Sequence, residues 1–254
     1  MEDTASAIAI ELRGAGKAFG EVVALAGIDL VVFRHARVGI VGPSGGGKTT
    51  LLKIVAGLLE PDTGLACVEG ATTARQRLAR CALMPQNDLL LPWRTALDNA
   101  AIALEYRGAS RAEARERTRP LFRRLGLADF ENVRPGQLSG GMRQRVSFLR
   151  TLMAEKDILL LDEPFGALDS ITRARLQEWL LQALHTVPRT VLLVTHDVEE
   201  ALLISQRVVV LSERPGRVVR VLDIDRGSGG SRREIITSPE FVSLKEQALE
   251  ALGS

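Results

Sequence analysis

The chain has 254 residues, of which 46% are hydrophobic, 33 are basic and 31 are acidic. This length and composition suit one α/β domain with a smaller subdomain, and the net charge of +2 gives no support to nucleic acid binding. The two cysteines, Cys67 and Cys81, are too few and too isolated for a disulfide framework or a zinc site, and we expect both in the core.

The N-terminus carries Glu2 and Asp3 where a signal peptide would carry basic residues. No apolar run in the sequence approaches the length of a transmembrane helix. We therefore expect a cytoplasmic chain, unless a partner holds it at a membrane.

Apolar and alternating β-rich segments are separated by several helical patterns, which predicts a largely parallel sheet covered on both faces. The expected strands cover residues 8–12, 22–32, 38–41, 81–84, 158–161, 191–194, 208–211 and 218–224. Three helical patterns, at 95–106, 110–125 and 139–153, follow one another without a strand between them. They predict a helical subdomain at about 87–155. The arginines of the second pattern predict a solvated helix face.

The C-terminal part differs from the rest in composition. Residues 227–231 have the sequence of a flexible linker, and residues 238–252 predict a short amphipathic helix. We therefore expect a main domain at 1–226, followed by the linker and the helix at 227–254.

A glycine-rich segment at 42–49 follows a predicted strand and precedes a helical pattern, which is the context that makes a G-x-x-x-x-G-K-[ST] match a P-loop. Its three adjacent glycines let backbone N–H groups face phosphate oxygens, because no Cβ obstructs them. Lys48 would add a positive charge for the β- and γ-phosphates, and the Thr49 hydroxyl would ligate Mg²⁺. The residues expected to bind the nucleotide are Gly42, Pro43, Ser44, Gly45, Gly46, Gly47, Lys48, Thr49 and Thr50.

Residues 158–161 are all apolar and are followed by Asp162 and Glu163, as in a buried parallel strand that ends in two carboxylates. In a P-loop fold, Asp162 would hold Mg²⁺ through water and Glu163 would orient the attacking water. The two motifs together predict an α/β P-loop NTPase that hydrolyses its nucleotide.

A third motif, LSGGMRQR at 138–145, lies between the first two. Ser139 is a plausible N-cap, and Gly140 and Gly141 would expose the amides of a helix start, which gives a second anion site. With this segment the chain resembles the nucleotide-binding subunit of an ATP-binding cassette (ABC) transporter, over about residues 8–222. Met142 stands where that family usually has glutamine.

The resemblance implies roles for residues outside these motifs. Gln86 would sense Mg²⁺ and couple to the membrane partner, His196 would contact the γ-phosphate, and Phe19 would lie under the adenine ring. Residues 167–169 correspond to the D-loop of the family. The implied catalytic residues are Lys48, Gln86, Glu163 and His196. The implied metal ligands are Thr49, Gln86 and Asp162.

The resemblance also implies an architecture, cofactors and partners. The fold would combine a mostly parallel sheet core with an N-terminal antiparallel β subdomain and a helical signature subdomain. ATP and Mg²⁺ would be bound where the signature of one subunit closes over the P-loop nucleotide of another, in a homodimer or a paralogous pair. The other partners would be a polytopic permease at the cytoplasmic face of the membrane and, indirectly, a substrate-binding protein.

Three functions remain open within the family: the ATPase of a membrane importer, a soluble ATPase of DNA repair or translation, and the ATPase of an exporter. The sequence has neither the coiled-coil insertion of repair members nor the second cassette of translation members, and it has no fused membrane helices as exporters commonly do. Segments 89–95, 162–169 and 212–217 resemble importers of nitrate, sulfonate and taurine. Segments 148–151 and 176–180 resemble importers of thiamine-precursor pyrimidines.

The segment 89–93, Leu-Leu-Leu-Pro-Trp, lies in a predicted turn after Gln86. Its leucines would pack beneath the loop if the segment is structural. Alternatively, Leu91 and Trp93 would line a groove that receives a short helix of the permease.

Overall fold

The computed structural model describes residues 7–225 and 232–253, so the predicted linker at 227–231 lies outside the described residues. The strands are β1 (Ile8–Phe19), β2 (Val22–Phe33), β3 (Arg37–Val41), β4 (Thr63–Val68), β5 (Cys81–Met84), β6 (Ile158–Asp162), β7 (Thr190–Thr195), β8 (Arg207–Leu211) and β9 (Val218–Asp223). The helices are α1 (Lys48–Ala56), α2 (Ala74–Arg80), α3 (Ala96–Tyr106), α4 (Arg111–Arg124), α5 (Gly140–Leu152), α6 (Ser170–Thr186), α7 (Val198–Ile204), α8 (Arg232–Ile236) and α9 (Pro239–Gly253).

The larger sheet has six strands in the order β5-β6-β7-β3-β8-β9, and every neighbouring pair is parallel except β8 with β9. Strand β6 shows why both faces are covered, because all of its residues are buried. Leu159 and Leu161 belong to the core shared with α3, α5 and α6, whereas Ile158 and Leu160 belong to the core shared with α1. The predicted α/β fold with a mostly parallel sheet is confirmed.

The smaller sheet is antiparallel and has the order β2-β1-β4, which confirms the expected N-terminal β subdomain. Strand β4 and helix α2 are elements that the sequence patterns do not predict. Helix α2 lacks an apolar stripe. It is anchored instead by the buried Arg77, which donates to the Ile54 carbonyl and to Glu60. Cys81 is buried as expected, but Cys67 on β4 is only half-buried.

The three predicted helices of the middle segment are α3, α4 and α5. Each begins after a capping side chain, because Thr95, Ser110 and Ser139 accept a hydrogen bond from the N–H three residues later. The sequence predicts that the arginine-rich face of α4 is solvated, but the structure shows that this face also makes contacts within the protein. Arg111 and Arg115 both pair with the fully buried carboxylate of Asp98, so this face ties α4 to α3.

The predicted C-terminal helix is α9, which packs through Phe241 and Ala248 against α7 and β9. The short α8 precedes it and is not indicated by the sequence pattern. No helix in the described parts of the chain is both long enough and apolar enough to cross a lipid bilayer.

Candidate active site

The predicted P-loop connects β3 to α1, and its shape requires glycine at particular positions. Gly47 has a φ of 85°, in the left-handed region. A Cβ at Gly47 would lie 2.5 Å from the Leu25 side chain and 2.7 Å from the Ala24 carbonyl. At Gly46 a Cβ would lie 2.8 Å from the Ser212 carbonyl. Strand β2 and the loop after β8 therefore lie so close to the P-loop that no side chain fits at Gly46 or Gly47.

Lys48 is the first residue of α1 and its ammonium group bends back into the loop. Nζ donates to the Gly42 carbonyl at 2.7 Å and to the Pro43 carbonyl at 2.8 Å. Burial lowers the pKa of Lys48, and the nearby carboxylates of Glu163 and Asp162 oppose this shift. The loop thus holds a buried cation at the centre of a ring of backbone groups, which is an arrangement suited to phosphate.

Asp162, the last residue of β6, is joined to the P-loop by a hydrogen bond from Thr49 Oγ1 to Asp162 Oδ2 of 2.8 Å. Burial raises the pKa of Asp162, although the bond from Thr49 opposes the rise. Its Oδ1 atom is buried and has no hydrogen-bond partner in the described part of the protein. A buried carboxylate oxygen without a hydrogen-bond partner, next to a hydroxyl, is a pair of oxygen ligands that fits a hard divalent cation such as Mg²⁺.

Among the described residues, no group of three His, Cys, Asp or Glu side chains could hold a metal ion. A cation beside Thr49 and Asp162 would therefore take most of its ligands from water and phosphate oxygens. Mg²⁺ commonly binds in this way, with one or two carboxylates and the phosphates of a substrate. The site fits a metal that enters together with a nucleotide.

Glu163 follows β6 and faces His196, which follows β7. The distance from His196 Nδ1 to Glu163 Oε2 is 2.7 Å. Glu163 has a φ of 51°, which is unusual for a residue with a side chain. Its N–H donates to the Val194 carbonyl, and its carbonyl accepts from Gln144 Nε2 at 2.7 Å. The two side chains are thus brought together at the carboxyl edge of the parallel sheet, where open α/β folds place their ligands.

A cavity of about 340 Å³ opens between these elements. It is lined by Phe19, Val22, Ala24, Ser44, Gly45, Gly47, Lys48, Thr49, Thr50, Gln86, Asp162, Glu163 and Arg214. The cavity brings together most of the predicted P-loop residues with Phe19, Gln86 and both carboxylates. Phe19 is half exposed, so it is not the core residue that a lone phenylalanine at a strand end usually is. The cavity lining does not include Gly42, Pro43 or Gly46, although they lie in the same loop. His196 does not line the cavity either, but its Nδ1 contacts Glu163, which does.

Arg214 is a lining residue that the motifs do not reveal. It lies in the connection between β8 and β9, and its Nε donates to the Gly45 carbonyl at 3.3 Å. The two residues are 169 positions apart, and no spacing pattern relates them. The close packing of Gly216 on the Gly46 carbonyl, 2.3 Å from an ideal Cβ position, brings this connection onto the P-loop. The motifs also do not predict Val22 and Ala24 on β2 as lining residues, because no spacing pattern relates them to the P-loop.

The signature segment lies apart from this cavity. Among the described residues, the lining does not include Ser139, Gly140 or Gly141. Ser139 is the N-cap of α5, and its hydroxyl accepts from the Met142 N–H at 3.2 Å. Ser139 and Gly140 are exposed to solvent. Within one chain, these residues form a helix start that faces outward.

The apolar segment after Gln86 divides into buried and exposed residues. Leu90 is buried, whereas the side chains of Leu89 and Trp93 are 63% and 69% exposed. Leu91 is half-buried, and its backbone is held by Asn99, whose amide accepts from the Leu91 N–H and donates to the Leu91 carbonyl. The exposed Trp93 therefore lies on a loop whose backbone is fixed by hydrogen bonds. Leu90 packs beneath the loop, as the structural alternative predicts for the leucines.

Comparison with known proteins agrees with this geometry. A family model described as ABC transporter matches residues 25–166. The taurine import ATP-binding protein TauB of Pseudomonas savastanoi is 40% identical over 234 residues, which cover 91% of this chain and 89% of that protein. The aliphatic sulfonates import ATP-binding protein SsuB 1 of Rhodococcus jostii is 45% identical over 245 residues, which cover 96% of this chain and 94% of that protein.

A third relative is the bicarbonate transport ATP-binding protein CmpC of Synechocystis sp., which is 40% identical over 92% of this chain but only 35% of its own length. Among solved structures, the ATP-binding cassette MJ0796, in a dimeric post-hydrolysis state bound to ADP and Pi, matches with a TM-score of 0.78 and 31% identity. That match covers 86% of this chain and all of the solved one.

Proposed function

The chain belongs to the ABC transporter family, and on that premise we propose that it is the ATP-binding and ATP-hydrolysing subunit that energises a membrane importer of a small solute. The observation that carries this proposal is the cavity in which Lys48, Asp162 and Glu163 converge at the P-loop. Phosphoryl transfer to water needs neutralisation of charge and a positioned nucleophile. These three side chains supply both.

We assign the reaction to the following residues. The backbone N–H groups of the P-loop and the Lys48 ammonium bind and neutralise the β- and γ-phosphates. Glu163 accepts a hydrogen bond from the attacking water and orients it, and His196 contacts the γ-phosphate. Phe19 stacks under the adenine ring. When bound, Mg²⁺ neutralises the phosphate oxygens, with Thr49, Asp162 and Gln86 as the residues that hold it.

We propose that the working unit is a dimer of two such subunits, either identical or paralogous. The signature residues Ser139 and Gly140 are exposed and lie outside the cavity of their own chain. A helix N-terminus binds anions through its free N–H groups and its dipole. In the dimer, this helix start would cover the γ-phosphate in the cavity of the partner, so that neither site is complete alone.

We propose that the dimer attaches to a polytopic permease at the cytoplasmic face of the membrane, through the loop that carries Gln86, Leu91 and Trp93. Gln86 lines the nucleotide cavity, and Trp93 is exposed a few residues later. Closure of the nucleotide site would therefore move the docking surface. A substrate-binding protein would act only through the permease.

Two relatives are named for the import of taurine and of aliphatic sulfonates, and these names support a proposal for the solute class. We propose the nitrate, sulfonate and taurine class, with a thiamine-precursor pyrimidine as the second candidate. The test is to purify the chain from cells, identify the membrane protein that co-purifies, and measure ATP-dependent uptake of each solute in liposomes. Taurine or sulfonate uptake supports the proposal, while co-purification with ribosomes or DNA, or outward transport, would refute it.

A further inference from the structure

One face of α5 packs along the loop that follows β6. The face is formed by Gly141, Gln144 and Phe148, whose spacings of three and four residues align them on a helix. A Cβ at Gly141 would lie 3.2 Å from the Leu168 side chain. The rings of Phe148 and Phe165 pack with their centroids 6.1 Å apart. The helix that begins with the signature segment is therefore fitted against this loop over two turns.

Gln144 is the polar member of this face, and its amide is bonded at both ends. Nε2 donates to the Glu163 carbonyl at 2.7 Å, and Oε1 accepts from the Ala167 N–H at 2.8 Å. Because a carbonyl only accepts and an N–H only donates, these partners fix the orientation of the amide. Gln144 is 7% exposed, so water has little access to replace either bond.

The backbone of Glu163 depends on such bonds, because a φ of 51° is disfavoured for a glutamate. Its N–H is held by the Val194 carbonyl at 2.9 Å. Its carbonyl accepts the bond from Gln144 and a longer one, of 3.3 Å, from the Gly166 N–H. The direction in which the Glu163 side chain leaves the backbone is therefore fixed in part by a residue of α5.

Resting on the proposed function, in which Glu163 orients the attacking water, we propose that Gln144 is a positioning residue that sets the direction of the Glu163 carboxylate. Gln144 does not line the nucleotide cavity, so it acts through the backbone of Glu163. It lies about one turn from the start of α5, and a displacement of α5 would carry the bond to Glu163 with it. Gln144 thereby links the orientation of the signature helix to that of the carboxylate.

Two substitutions separate the two bonds of the amide. Gln144→Leu keeps much of the volume and removes both bonds, whereas Gln144→Glu keeps an acceptor for the Ala167 N–H and removes the donor to Glu163. Both should lower kcat for Mg-ATP hydrolysis by about tenfold or more, in the range for a displaced catalytic group, with little change in KM. Thr151→Val is the matched control, since Thr151 is buried in the same helix and its hydroxyl donates to the Ser147 carbonyl of that helix.

The deciding measurement combines Gln144→Leu with Glu163→Gln. If Gln144 acts through Glu163, the double variant should hydrolyse ATP as slowly as Glu163→Gln alone. The proposal is overturned if Gln144→Leu lowers kcat by the same factor in both backgrounds, or if kcat of Gln144→Leu equals that of wild type. Should Gln144→Leu fail to fold by circular dichroism, Gln144→Glu takes its place in the cycle. Failure of the proposed function is distinct, because Glu163→Gln alone would then leave kcat unchanged.

Discussion

His196 Nδ1 lies 2.7 Å from Glu163 Oε2, across the carboxyl ends of two adjacent parallel strands. Glu163 follows β6, His196 follows β7, and the P-loop follows β3, which is the next strand in the sheet. The P-loop, the carboxylates Asp162 and Glu163, and His196 therefore lie at the ends of three consecutive strands of one sheet. This arrangement explains how residues more than a hundred positions apart form a single cavity.

Loss of the Lys48 ammonium should remove the cation at the centre of the P-loop. Lys48→Ala is expected to weaken ATP binding by about tenfold or more and to abolish turnover, because hydrogen bonds from charged groups are the strong ones. Isothermal titration with ATP and a phosphate-release assay measure the two effects. Lys53→Ala is the control, since Lys53 is exposed on the same helix. Wild-type affinity and turnover in Lys48→Ala would refute the P-loop assignment.

Arg214 should contribute to nucleotide binding although the motifs assigned to the nucleotide do not contain it. Because its side chain lines the cavity beside Gly45, Arg214→Ala is expected to raise KM for ATP several-fold, and Arg214→Lys should retain part of the effect. Steady-state hydrolysis across ATP concentrations measures this change. Arg217→Ala, in the same β8–β9 connection but outside the cavity lining, should behave as wild type. An unchanged KM in Arg214→Ala would leave this arginine with a structural role only.

The sequence motifs predict Lys48 as a nucleotide-binding residue but do not predict Arg214. Lys48, Asp162 and Glu163 belong to contiguous motifs whose residue types follow from phosphate and metal chemistry, so the sequence alone predicts them as site residues. Arg214 and Gln144 donate hydrogen bonds to the carbonyls of Gly45 and Glu163, which lie far away in the sequence, and no local pattern encodes such contacts. The same limit applies to the fold.

The sequence patterns do not predict helix α2, because a buried arginine rather than an apolar stripe anchors it. Strand β4 is short and contains Gly64, which weakens its β pattern. The α4 arginines were expected to face solvent, and two of them instead pair with Asp98, which precedes them in the sequence by more than ten residues. For α2 and α4, the contact that decides the structure is a polar one between separate elements, which hydrophobic periodicity does not encode.

Glu200, a buried residue of α7, should make stability depend on pH. Burial raises the pKa of Glu200 from 4.5 to about 8, although a hydrogen bond from Thr195 opposes the shift. The folded state therefore keeps a proton that the unfolded state loses near pH 4.5, so the free energy of unfolding falls as pH rises from about 5 to 8. The expected fall is on the order of 3–4 kcal/mol.

Glu200→Gln should remove this part of the pH dependence, because the amide stays neutral. Urea denaturation at pH 5.5, 7 and 8.5 measures it, with Glu199→Gln as the control at an exposed neighbouring position. If wild type and Glu200→Gln lose stability equally over this range, Glu200 does not carry the buried proton.

Trp93 should matter for the permease and not for the isolated subunit. Because its side chain is 69% exposed on a braced loop, Trp93→Ala is expected to leave folding and ATP binding intact while impairing assembly with the permease and uptake in cells. Co-purification and solute uptake measure these effects, with Leu78→Ala on α2 as an exposed apolar control. Normal uptake would remove Trp93 from the docking surface, and an unfolded variant would favour the core role.

The most direct test of the central claim uses Glu163→Gln, which keeps the shape of the carboxylate but removes its charge. Hydrolysis should fall by about 10² or more, in the range for loss of one positioned catalytic group. ATP should then remain bound between two subunits. Light scattering with size-exclusion chromatography should show twice the chain mass of 27.6 kDa with ATP, and the monomer mass with ADP. A variant that stays monomeric with ATP and hydrolyses it at the wild-type rate would contradict the account.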